Sequence, residues 1–145
     1  MKSIIIILVL LVAGSTVSIA QCDKKVSLSS SQTQHLDASG ALKNAEDEKT
    51  TVVFDKSDIT VTIVKNDGSD QKLTGKVKSV VCNWGKPFKE GKTALSVTLN
   101  NEGGESRDFA ITIEGKDGKI VFLAESKEEP DDKIKLDIDK FEEKN

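Results

Sequence analysis

From about residue 50 onward, apolar and polar positions alternate with a period of two, and turn-forming residues interrupt the alternation every ~8–12 positions. That pattern predicts antiparallel strands. The stretch 50–54 reads as a strand closed by Asp55-Lys56-Ser57-Asp58, and Ile59, Val61 and Ile63 alternate with Thr60 and Thr62 in the next. Asn66-Asp67-Gly68-Ser69 is a hairpin turn, because Asp-Gly tolerates positive φ. Leu73, Gly75, Val77, Ser79 and Val81 share one face of a long strand by strict alternation, with a bend or bulge expected at Gly75. Leu95, Val97 and Leu99 face inward next, then Phe109, Ile111 and Ile113. After the turn Gly115-Lys116-Asp117-Gly118, residues 120–124 are apolar on both faces, as in a central strand. Ile134, Leu136 and Ile138 alternate with Lys135, Asp137 and Asp139 in a last strand, and Phe141 is placed to plug the end of the core.

Residues 26–44 give a weaker signal. Two short runs joined by Asp37-Ala38-Ser39-Gly40 suit an opening hairpin, and 41–46 also suits a turn of helix. Seven to eight short strands joined by tight turns are expected to be sequential neighbours, which makes a meander. Closing it into a small up-and-down barrel or a curled sheet removes exposed edges; a two-sheet β-sandwich is the alternative. An immunoglobulin arrangement does not suit the spacing, since Cys82 and Trp84 are only two positions apart.

The beginning of the chain changes the picture. Lys2 precedes an unbroken apolar run from Ile4 to Ala13, and small residues follow at Ser18 and Ala20. This is the layout of a secretory signal peptide over 1–20, and the run is shorter than the ~20 residues a membrane-spanning helix needs. The expected organisation is therefore a signal peptide (1–20), an N-terminal segment (21–49) and a β-meander core (50–145), the last two forming one domain. An exported, periplasmic or extracellular protein follows. Without 1–20 the charge is 20 basic minus 24 acidic residues, or −4, too mild to point to nucleic acid. The two cysteines, Cys22 and Cys82, read as a disulfide in an oxidising compartment. It would close a loop of about 60 residues, worth roughly 4 kcal/mol. The competing reading makes Cys22 a lipidated N-terminus and the protein a membrane-anchored lipoprotein. Ile19-Ala20-Gln21-Cys22 approximates a lipobox, with Gln21 departing from the small residue expected there.

Catalytic constellations are lacking in the sequence. His35 is the only histidine, with no neighbouring nucleophile, and reads as a surface residue. No Walker loop, Gly-x-Ser-x-Gly elbow or His-Glu-x-x-His motif is present. Neither a metal site nor a cofactor is expected. Acids such as Glu46-Asp47-Glu48 and those of 128–132 cluster in apparent turns, where water keeps them ordinary, so a carboxylate-based hydrolase is disfavoured. The distinctive surface candidate is the loop carrying Trp84, Lys86, Phe88, Lys89 and Lys92. Residues 72–92 contain six lysines and one acid, a local charge of +5. Exposed rings would stack on a sugar, and the lysines would hold an anionic group. The competing reading turns Trp84 and Phe88 inward as a cap on the barrel.

The stretch 75–84, the later Gly115-Lys116-Asp117-Gly118-Lys119-Ile120 and the ending 139–144 resemble short secreted proteins of Gram-negative bacteria of unknown function. That resemblance implies export and supplies no catalytic residues. In size, signal peptide and meander the chain also resembles lipocalin-like domains, although it lacks a Gly-x-Trp motif near the start of the mature chain. The functional expectation is a non-enzymatic binding or interaction module. One alternative is a lipocalin-like carrier of a small apolar molecule, which requires an internal cavity.

Overall fold

The computed structural model describes residues 23–86 and 88–144. Among them are nine strands and no helix: β1 (Lys25–Leu36), β2 (Leu42–Phe54), β3 (Asp58–Lys65), β4 (Asp70–Lys86), β5 (Glu90–Asn100), β6 (Ser106–Lys116), β7 (Lys119–Ser126), β8 (Lys133–Asp137) and β9 (Lys140–Lys144). Each pairs antiparallel with its neighbour from β1 to β8, and β8 returns to β1, which closes an eight-stranded barrel. The strand β9 continues the course of β8 along the first half of β1. At the junction, Ile138 N–H donates to the Ile120 carbonyl and Asp139 N–H to the Ser29 carbonyl. The meander and its closure are as the alternation predicts, and the sandwich is not formed.

The opening hairpin is real and far longer than expected. Strand β2 starts at Leu42, so residues 42–46 are strand and no helical turn forms over 41–46. Asp37 closes the turn by accepting from the Ser39 and Ala41 N–H groups, both at 2.9 Å. The hairpin at Asp117-Gly118 has both residues at positive φ, 53° and 77°, as a tight twisted turn requires.

The expected face of β4 is correct only in its first half. A bulge between Val77 and Ser79 inserts one residue and reverses the parity. Val80, Cys82 and Trp84 therefore turn inward, while Val81 is left 67 % exposed. Gly75 is not the bulge. It lies where β4 and β5 approach so closely that a side chain would run into the Thr98 carbonyl.

Acidic turns fix the loops electrostatically. The Asp55 carboxylate accepts from the Ser57 and Asp58 N–H groups at 2.7 and 2.8 Å, and the bonds from Asp58 and Ser57 hold its pKa below the ordinary aspartate value. A depressed native pKa means that the folded state binds the proton more weakly than the unfolded chain. The stabilisation is then present above the unfolded value of about 3.9 and is lost as the pH falls through the native value. The urea midpoint is expected to drop between about pH 5 and about pH 3, and to drop less in Asp55→Asn. Equal drops in the two proteins would contradict this role.

Candidate functional site

The two ends of the barrel differ in kind. At one end the interior is filled by aromatic rings. Trp84 stacks on Phe88 with ring centroids 4.7 Å apart, and Phe88 stacks on Phe141 at 3.9 Å. Trp84 and Phe88 are 5 % and 6 % exposed. The indole Nε1–H donates to Thr93 Oγ1 at 2.7 Å, which satisfies the polar atom that burial would otherwise orphan. Room for the indole comes from two glycines paired across β5 and β6, Gly91 and Gly115. A Cβ on Gly115 would lie 2.6 Å from the indole Cζ3. Of the two sequence readings of this loop, the inward cap describes the rings, and the exposed stacking platform of Trp84 and Phe88 is absent. Lys86, Lys89 and Lys92 are solvent-exposed around that cap. Lys72, Lys76 and Lys78 occupy the wet face of β4, where Lys76 pairs with Asp58 and Lys78 with Asp108.

At the other end the barrel is open. The turns β1–β2, β3–β4, β5–β6 and β7–β8 rim a cavity of about 490 Å³ that reaches into the interior, a volume in the range of small-molecule sites. Its walls are apolar: Val52, Val61, Ile63, Phe109, Phe122 and Leu136 project into it. Ala124, on the inner face of β7, leaves space that a larger side chain would occupy.

The mouth is polar and acidic. Five carboxylates line it, Glu46, Glu48, Glu105, Glu129 and Asp132, against the two cations Lys65 and Arg107. Two minus five leaves −3. Most of these acids are spoken for. Arg107 pairs with Glu129 at 2.8 Å, His35 Nδ1 lies 2.9 Å from Asp132 Oδ1, and the Asn101 amide donates to Glu105 at 3.0 Å. The Asn44 amide donates to Glu46 Oε1 at 3.5 Å, which leaves Glu48 as the exception. It is 7 % exposed and faces the cavity, yet it makes no hydrogen bond or ion pair among the described residues. Lys65 stands opposite it in the β2–β3 register without forming an ion pair. Beside it, Thr50 and Thr33 bond to each other through their hydroxyls at 3.1 Å.

Two sequence expectations change here. His35 is not a plain surface residue; it lines the mouth, its side chain 22 % exposed and held by Asp132. Glu46 and Glu48 are not in a turn. They project inward from β2, which runs past the end of β3 to form one wall of the mouth. A sequence signal for Glu48 exists: it shares parity with Thr50, Val52 and Phe54, the inward positions of the same strand. His35 makes no hydrogen bond to a hydroxyl among the described residues, so the His–Asp pair has no nucleophile attached.

Cys22 and the segment 1–20 lie outside the described residues. Cys82 is half-buried at the capped end, where Thr93 Oγ1 approaches its sulfur at 3.6 Å. Compared with protein-family models, with curated proteins and with solved structures, the chain matches none.

Proposed function

We propose that this protein is an exported, non-enzymatic binding domain that carries a small, largely apolar molecule inside its barrel, in the manner of a lipocalin-like carrier. The observation that carries this reading is the cavity of about 490 Å³, open at one end, walled by aliphatic and aromatic side chains and closed at the other end by the Trp84–Phe88–Phe141 stack. A domain needing only a stable core would gain by filling that space. Export rests on the signal-peptide layout of 1–20.

The proposal includes a Cys22–Cys82 disulfide at the capped end. Asp23 pairs with Lys56 in the β2–β3 turn at 3.3 Å, and the Ser57 carbonyl of that turn accepts from Val77 N–H on β4. The chain therefore enters β1 beside the turn that bonds to the middle of β4, the strand that carries Cys82. An intact mass two protons below the reduced value supports this pairing; a lipid-modified Cys22 would refute it.

The binding reading is tested with N-phenyl-1-naphthylamine, a neutral dye that brightens in apolar surroundings. Saturable fluorescence enhancement is expected in the wild type. Ala124→Leu, which fills the cavity from β7, is expected to weaken binding about tenfold or more, a loss of about 1.4 kcal/mol. The outward Val81→Ala is expected to leave it unchanged. Dye binding that ignores Ala124→Leu would place the dye elsewhere and overturn the carrier reading.

A further inference from the structure

We infer that the ligand of this cavity is an organic cation with an apolar body, a long-chain or aromatic ammonium, whose charged head is held by Glu48. The inference rests on the carrier reading and adds the ligand's chemical class. Glu48 is 7 % exposed at an inward strand position, and its carboxylate oxygens open onto the cavity rather than being sealed in protein. A carboxylate so placed is commonly met by a hydrogen bond or an opposite charge. Among the described residues, Glu129, Asp132 and Glu105 at the same mouth have partners, and Glu48 does not. It therefore stands as an acceptor aimed into a cavity, the arrangement a bound ammonium completes.

The surroundings favour the same charge. The lining of the mouth sums to −3, so an anionic head would meet repulsion from Glu46 and Glu48 together. Thr33 and Thr50 supply hydroxyl oxygens next to Glu48 that accept further N–H donors. Below this polar band the wall turns apolar at Val52, Val61 and Ile63. Head and tail of an amphipathic cation thus match the two zones in order. The cations Lys65 and Arg107 are the competing anchors for an anion; Arg107 is already paired with Glu129, and Lys65, exposed at the rim opposite Glu48, is outnumbered there by the carboxylates.

The test compares three probes of one chain length by calorimetry: n-octylammonium, 1-octanol and octanoate, each below its aggregation limit. Octylammonium is expected to bind the wild type at least about tenfold more tightly than octanol, with octanoate weakest. Glu48→Gln keeps the shape and is expected to bring the amine to the level of the alcohol. Equal binding of amine and alcohol, or tightest binding of octanoate, in the wild type would overturn the cation assignment and leave the carrier reading standing. An amine preference that survives in Glu48→Gln would overturn Glu48 as the anchor. Failure of all three probes together with N-phenyl-1-naphthylamine would overturn both. The wild-type comparison stands even where the variant folds poorly.

Discussion

Trp84→Ala is expected to destabilise the barrel by about 3–5 kcal/mol, the usual cost of emptying a buried indole site. The site cannot collapse to absorb the loss. The indole rests over Gly91 and Gly115, which have no side chains to move in, and Phe88 would lose its stacking partner. Thr93, 2 % exposed, would lose the donor now bonded to its hydroxyl at 2.7 Å. Small domains are stable by about 5–15 kcal/mol in total, so the variant is expected to be marginal or unfolded at ambient temperature. Urea unfolding followed by far-ultraviolet circular dichroism measures this. A loss below about 1 kcal/mol would show that the aromatic cap is not a principal part of the core.

The second large effect comes from one methyl group on the backbone. Gly75→Ala sets a Cβ against the Thr98 carbonyl, at a separation no non-bonded pair of atoms adopts. The obstacle is backbone, so no rotamer change relieves it; β4 and β5 must part where Gly75 faces Leu99 in the register. Overpacking ordinarily costs about 1–3 kcal/mol, and a clash with an immovable strand belongs at or above the top of that range. Gly85→Ala is the matched control on the same strand, since its Cβ would meet only the Glu90 carbonyl at 3.8 Å. The first variant is expected to lose several degrees of melting temperature per kcal/mol, and the second to change little. Equal melting temperatures for the two would contradict the close approach of β4 and β5.

The barrel was legible because most strands from β3 onward obey the simplest rule of sheet proteins. Ile59, Val61, Leu95, Val97 and Ile111 all sit where alternation puts them, in the interior. The pattern failed at β1 and at the start of β2, for a physical reason that bears on function. These strands line the open mouth, so their inward positions carry Thr33, His35, Glu46 and Glu48. A strand that is polar on both faces looks like a loop in sequence. The residues that make the site are thus the ones that hid it, and Glu48 passed for part of an acidic turn. The β4 error has a different origin. After the bulge, Val80, Cys82 and Trp84 form a more apolar face than Ser79 and Val81, and strict alternation from Leu73 missed the change of phase. Trp84 then looked like a ligand platform because its loop is rich in lysine, although the rings turn inward beneath those exposed side chains.

On the proposed carrier reading, a ligand enters the interior through the open mouth, and methyl-resolved NMR of the protein titrated with n-octylammonium reports where it sits. The Val52, Val61, Ile63 and Leu136 methyl signals are expected to shift, with little change at Val81 on the outer surface. Shifts confined to outward-facing methyls, or none at ligand concentrations that saturate the calorimetric signal, would contradict it.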